Sequence, residues 1–423
     1  MRRPLCVFCA GMLGVELVYA FLPQTELFVP FAAFFVAVCL LLCIPDRTRK
    51  ASLCLLLGAA AGLAAARHTN ARLEQTLEKY AGQTVALTAE VESVSASYYP
   101  GIVDAVLRVE RVNGKAADLR VECDALPQCE AGERVEGRFA LEAPEPADRT
   151  TLFADGVVLW AREPQAFARL GKSSSFRART SRLQKRLSTS LRGEMNEDAG
   201  GVLAAMTVGD RNYLSSALRS AYRGAGLSHV LVVSGMHVSI LCGDVFGRRR
   251  RERSYRSRRV KALFTAFLAL LLAGVTGFTP SVCRAAVAVW VSALGVWVYG
   301  ASDALTSLAA AGILMTARNS YAVCDIGFEL SFAAVLGTLA GAELSRHLHA
   351  AHATRKKKPS VLQPILRHVR SSLTETVCIG VCASAAAFPV LVLRGLSVSI
   401  YAVLSGAAVL WMVKPMMLLS LGT

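Results

Sequence analysis

The chain has 423 residues, of which 53% are hydrophobic and only 18% charged, with a formal net charge of +16. Its mean hydropathy of +0.42 argues against a set of soluble domains, because apolar residues this abundant exceed what soluble cores bury. The twelve cysteines do not outline a secreted disulfide scaffold: all but Cys123 and Cys129 sit in or beside apolar blocks, where a thiol packs as a small apolar residue.

Those blocks have the length that spans a bilayer, roughly 17–25 residues. They fall at 5–22, 27–44, 51–66, 227–246, 262–279, 282–300, 303–317, 328–345, 373–393 and 399–421. The expectation is therefore a polytopic α-helical membrane protein of about ten spans, the third and seventh short enough to be tilted or re-entrant. Met1-Arg2-Arg3 before an apolar run resembles a signal peptide, but no small-residue cleavage site follows before Pro23. The segment is kept as a span, and Cys6 and Cys9 within it read as packing.

Charge orients the spans. Arg47-Thr48-Arg49-Lys50, the stretch 248–261 with eight Arg, and the stretch 346–370 around Arg355-Lys356-Lys357-Lys358 are the basic loops. Even numbers of spans separate them, so all three and the N-terminus face the cytoplasm. The same parity places 67–226 on the far side of the membrane.

Residues 67–168 alternate apolar and polar positions in several short runs: Thr84-Val85-Ala86-Leu87-Thr88-Ala89-Glu90-Val91, Ala105-Val106-Leu107-Arg108-Val109-Glu110, 119–121, 134–141 and 157–160, with an Asn113-Gly114 turn. Five or so strands suit one small extracytoplasmic β-barrel, OB-like. Such barrels often hold single-stranded nucleic acid, yet residues 68–165 carry ten Lys or Arg against seventeen Asp or Glu, with Tyr98-Tyr99 the one aromatic pair. A structural or gating role fits that charge better than a broad DNA surface. Cys123 and Cys129 lie in this segment and are a candidate disulfide if it is extracytoplasmic.

From 169 to 198 the sign reverses. Leu183, Leu187 and Leu191 repeat every four residues among Arg177, Arg179, Arg182, Lys185 and Arg186, the pattern of a basic amphipathic linker helix. It suits anionic membrane lipids, or a collar that guides a polyanion.

Residues 199–423 hold the remaining spans and the chemistry. Leu227-Ser228-His229-Val230-Leu231-Val232-Val233-Ser234-Gly235-Met236-His237-Val238 sets polar side chains into an apolar run, where they need a purpose or a partner. On a continuous helix Ser234, His237 and Asp244 form one stripe, and Gly226 and Gly235 allow close helix approach. Ser281 and Arg284 stand at the head of another span, with Glu329 and Ser331 inside a third. Arg284 could pair with Glu329, meet a phosphate with its planar fork of donors, or snorkel to the interface. His237 could equally hold helices together, and Asp210-Arg211 could be a local turn and ion pair. Asp303 with Thr306 reads as a helix start. His347, His349 and His352 read as solvated loop residues, with no metal and no cofactor expected.

Val208-Gly209-Asp210-Arg211, Leu214-Ser215, Leu218-Arg219, Ala221-Tyr222, Gly226-Leu227-Ser228-His229 and Val233-Ser234-Gly235-Met236-His237-Val238 together resemble the competence domain of the ComEC family. Gly277-Phe278-Thr279-Pro280-Ser281-Val282-Cys283-Arg284-Ala285 and Asp325-Ile326-Gly327-Phe328-Glu329-Leu330-Ser331-Phe332 are similar to two further blocks of that family, in the same order. The resemblance implies an inner-membrane channel that admits single-stranded DNA during natural transformation, with the β-rich domain outside. Asp210, Arg211, Ser234, Gly235, His237, Asp244, Ser281, Arg284, Glu329 and Ser331 become candidates for the DNA path. It also implies a surface DNA receptor and a cytoplasmic ATPase as partners; a homo-oligomer is a further expectation. Many members continue into a metallo-β-lactamase-like nuclease domain; this chain stops at Thr423, so no enzymatic activity is carried over. Two other readings stand beside the channel: a small-solute or proton-coupled transporter, and an intramembrane hydrolase built on Ser234 and His237. The second lacks an orienting third residue, and Val232 occupies the place of the first Gly in a Gly-x-Ser-Gly pattern.

Overall fold

The structure, a computed structural model, describes residues 3–21, 46–97, 101–193, 195–244, 255–298, 303–353, 363–399 and 401–420. The expected span 27–44, the Tyr98-Tyr99 pair, the arginines of 248–254 and the basic run 355–358 lie outside the described residues. In chain order the elements are α1 (Pro4–Phe21), α2 (Asp46–Tyr80), β1 (Thr84–Ala96), β2 (Ile102–Val112), β3 (Lys115–Pro127), β4 (Glu133–Glu142), α3 (Arg149–Ala154), β5 (Val157–Ala161), β6 (Gln165–Lys172) and α4 (Phe176–Gly193). Then follow α5 (Glu197–Val208), α6 (Ser216–Gly224), α7 (Gly235–Asp244), α8 (Tyr255–Val275), α9 (Pro280–Val298), α10 (Ala304–Thr316), a 3-10 turn η1 (Ser320–Cys324), α11 (Ile326–Ala353), α12 (Gln363–Leu393) and α13 (Ala402–Ser420).

Among the described residues five helices are long and apolar enough to cross a membrane: Pro4–Phe21, Arg49–Tyr80, Pro280–Val298, Ile326–His349 and Thr374–Leu393. The protein is a membrane protein with a β domain. The chain divides into two compact units, Met1–Leu187 with Cys242–Asp325, and Ser188–Leu241 with Ile326–Thr423.

In the first unit α1 and α2 meet over glycine. A Cβ on Gly58 would run into the Phe8 carbonyl, and one on Gly62, four residues on, would sit 2.5 Å from that of Met12. Small residues at this spacing let helix backbones touch. Helix α2 does not stop near 66; it continues as one helix to Tyr80, and Leu73, Leu77 and Tyr80 pack against the β core. Asp303 caps α10, accepting from the Thr306 amide at 3.3 Å and hydroxyl at 3.2 Å, as its sequence suggested, and it also pairs with Arg3 at 2.8 Å.

The six strands pair in the order β1-β2-β3-β5-β4-β6, with β1 also pairing to β4. Strands β3 and β5 run parallel and the other pairs antiparallel. The added β1–β4 pairing joins β1, β2, β3, β5 and β4 into a ring, which removes their free edges. Alternation along β4 buries Val135, Phe139 and Leu141, while Asn113 and Gly114, with φ of 50° and 76°, make the tight turn that their sequence promises. The basic helix was expected from 169; instead β6 occupies 165–172, and α4 begins at Phe176. Strand β6 is exposed along almost its whole length, so it carries no apolar alternation to announce it. Cys123 and Cys129 are buried free thiols, not joined to each other, and burial pushes both up to about 11.

A clasp ties the turn η1 to α3. Asn319 Nδ2 donates to the Phe153 carbonyl at 2.6 Å, Phe153 and Tyr321 stack edge to face at 5.5 Å, and the Asp155 and Asp325 side chains share a hydrogen bond.

In the second unit α11 and α12 pack through Gly337 and Gly341. A Cβ on these would lie 2.5 and 2.6 Å from the carbonyl oxygens of Cys382 and Cys378. Helix α11 extends to Ala353, so His347, His349 and His352 are on a helix and not in a loop. His347 Nε2 lies 3.2 Å from Glu343, and among the described residues no group of three or more His, Cys, Asp or Glu could hold a metal.

Candidate functional site

The segment from α5 to α7 is built from turns. Gly209, at φ 77°, ends α5 in the left-handed conformation, which glycine adopts without steric cost. Buried Asp210 follows and accepts the Asn212 amide at 3.2 Å, an Asx turn. Arg211 is exposed, and its carbonyl accepts from Arg219 Nη2 at 2.7 Å. Asp210 thus sits in a local turn. Ser215 then caps α6 through the Leu218 amide at 3.2 Å.

The end of α6 is pinned to the start of α13. Ser399 Oγ donates to the Gly224 carbonyl at 2.8 Å and Ser405 Oγ to the Ala225 carbonyl at 2.6 Å. Gly226, at φ 73°, lies against Ala402, whose Cβ would be 2.7 Å from any Cβ placed there.

The apolar run that follows is not one helix. Residues 227–234 form a turn and bends, and α7 starts only at Gly235. Leu227, Val230, Leu231 and Val233 are buried nonetheless. Local polar chemistry explains the break: Gly226 turns the chain, His229 Nδ1 lies 3.1 Å from the Gly226 carbonyl, and Ser and His side chains that bond nearby backbone compete with the helix ladder. The ten residues of α7 rise about 15 Å, half of the roughly 30 Å hydrocarbon core.

Ser234 immediately precedes α7, and its amide donates to His237 Nδ1 at 2.9 Å. This is the reciprocal arm of a capping box, with His237 in the place usually taken by Glu or Gln. An amide can only donate, so Nδ1 is the acceptor and the ring proton resides on Nε2. Ser234 Oγ lies 3.0 Å from the same Nδ1. His237 is fully buried and its Nε2 has no hydrogen-bond partner. The stripe of Ser234, His237 and Asp244 expected on one helix is therefore corrected: Ser234 stands before the helix, and Nδ1 is already engaged by an amide. Gly235 opens α7 and Asp244 closes it; the Asp244 side chain lies outside the described ones.

Glu329, in the first turn of α11, meets Arg394, just past the end of α12. Nε donates to Oε2 at 3.1 Å and Nη2 to Oε1 at 2.6 Å, with both side chains 18% exposed. The Glu329 carboxylate is thus held in a two-pronged pair by Arg394. Arg394 was missed in the sequence, although a lone Arg between the apolar runs 373–393 and 399–421 was the available signal. Ser331, two residues further along α11, is buried. Ser281 and Arg284 occupy the first turns of α9 in the first unit, where Pro280 leads the helix, a favoured place for proline.

The family model for competence proteins matches residues 206–423, from the end of α5 through α13. ComE operon protein 3 of Bacillus subtilis (strain 168) is 30% identical over 174 residues, covering 41% of this chain and 22% of that protein. The chain thus spans about a fifth of that relative's length. No solved structure matches. With half of its length matched by the family model, and with the broken helix and the Glu329 helix inside the match, the chain belongs to the ComEC family of competence proteins.

Proposed function

We propose that the chain forms a channel in the bacterial inner membrane that admits single-stranded DNA during natural transformation, without acting as an enzyme. The observation that carries this is the interrupted helix at 227–244 inside the competence match. Irregular backbone at membrane depth is tolerated where protein buries it or where it lines a water-filled cavity, and discontinuous helices are a recurrent way to build a translocation site. Ser234, Gly235 and His237 form the constriction. Asp210, Arg211, Asp244, Ser281, Arg284, Glu329 and Ser331 contribute to the path or its scaffold.

The positive-inside rule sets the N-terminus and the basic loops in the cytoplasm and the β domain outside. The ring order β1-β2-β3-β5-β4 with a parallel β3–β5 pair supports an OB-like barrel. The remaining expected spans bring the total to about ten. A surface DNA receptor delivers the strand and a cytoplasmic ATPase receives it; membrane lipids contact α4, and copies of the chain associate. The test is complementation of a transformable strain deleted for its own channel protein. Labelled DNA should become nuclease-resistant when this chain is inserted in the membrane. Surface-bound DNA that stays fully nuclease-sensitive despite normal insertion would count against the channel.

A further inference from the structure

Glu16 lies inside the membrane-spanning helix α1 and is 1% exposed. Its carboxyl faces the hydroxyls of Thr316 and Ser320, and among the described residues neither of its oxygens has a hydrogen-bond partner of good geometry. Among the described residues no cation forms an ion pair with it. Burying an unpaired carboxylate costs far more than burying a paired one, and ionisable groups in spans are functional by default.

Hydrogen-bond capacity identifies what Glu16 carries. The Thr316 hydroxyl already donates to the Gly312 carbonyl at 3.2 Å, which leaves it only acceptor capacity towards Glu16. An ionised carboxylate is acceptor-only, whereas the protonated acid supplies one donor. Towards Thr316, therefore, the protonated acid finds a partner and the carboxylate does not.

A polar track leads away from it. Ser320 Oγ lies 3.4 Å from Thr69 Oγ1. Beside them Tyr321 donates to Asn70 Oδ1 at 2.9 Å, and Asn70 Nδ2 donates to Glu74 Oε1 at 2.8 Å, where Glu74 is exposed. This is the end of α2 that continues towards the β domain. Of the titratable groups on these elements, Cys9 of α1 faces Glu16, Tyr19 of α1 faces Arg67 and Glu74 of α2, and Tyr321 of η1 faces Tyr19, Glu74 and Cys324.

We propose that Glu16 is a proton-binding site within the membrane, exchanging its proton with the β-domain side past Thr316, Ser320 and Thr69. It goes beyond the channel reading and stands or falls separately from it. The test treats the full chain in native membranes with dicyclohexylcarbodiimide, which adds to protonated carboxyls in apolar surroundings, and maps the adduct by peptide mass. Glu16 should be labelled at acid pH, with labelling lost at alkaline pH and no adduct at that peptide in Glu16→Gln. Absence of label at every pH would overturn the site, and labelling constant with pH would overturn exchange. Because the wild-type pH profile carries both results, the test survives failure of the Gln variant to insert.

Discussion

His237 shows how one side chain sets the local fold of the proposed constriction. Its Nδ1 takes the Ser234 amide at 2.9 Å, a bond that Gln can reproduce and Ala cannot. Loss of a capping bond costs about 1 kcal/mol. His237→Ala should therefore lower the thermal stability of the detergent-solubilised chain more than His237→Gln, a comparison that differential scanning fluorimetry makes directly; equal losses would contradict the capping role. The histidine was legible in the sequence as a polar residue in an apolar run, but the direction of its bond was not, since Nδ1 could be assigned only once the Ser234 amide was placed. Glu329 was legible for the same reason; pairing with Arg284 was one of the open alternatives, and composition alone does not favour Arg394 over it. Removing one member of a buried pair costs about 3–5 kcal/mol. Arg394→Ala and Glu329→Gln should each destabilise the chain strongly, and the two together should cost clearly less than the sum. Simple additivity would show that the pair is not coupled.

At the scale of elements, the lengths of helices were easier to read than their continuity. Periodicity and hydropathy treat residues 227–246 as one span, because Leu and Val dominate them; the break at 227–234 follows from turn chemistry at Gly226, Ser228 and His229 that hydropathy does not weigh. Strand β6 escaped because nearly all of its residues are exposed and show no apolar alternation. The Gly337-x-x-x-Gly341 face, by contrast, is a pattern the sequence displays openly. Gly341→Val places side-chain atoms against the Cys378 carbonyl, and overpacking of this kind costs about 1–3 kcal/mol; the melting temperature of the purified chain should fall, and an unchanged value would contradict the close packing of α11 on α12. The clasp between α3 and η1 should respond to pH. Asp155 keeps an exposed edge, but lost hydration first, then the charge of Asp325 and the hydrogen bond to it, push its carboxyl from 3.8 to about 6, while Glu122 adds to this and Arg120 opposes it. A raised value means that the proton stabilises the clasp: it holds below pH 3.8, weakens as pH rises through about 6, and is weakest above. Hydrogen exchange of the 319–325 amides should therefore accelerate across that window, and Asp155→Asn should flatten the profile. A profile that is unchanged in the variant would contradict the assignment.

For the whole molecule, the sequence conveyed the class of protein and the placement of a β domain between groups of spans, since composition and charge asymmetry report directly on bilayer and loops. It conveyed the count of spans less securely: five helices among the described residues are long and apolar enough to cross, while α10 has 13 residues and α7 has ten. The match to the competence family covers the interrupted helix, and the proposed channel makes His237 part of its narrowest point. The most direct measurement is transformation by a deletion strain carrying either the wild-type chain or His237→Ala at matched membrane levels, with surface-bound and internalised labelled DNA counted separately. The account predicts normal capture of DNA at the cell surface and loss of internalisation in the variant. Normal internalisation by stably inserted His237→Ala would contradict it.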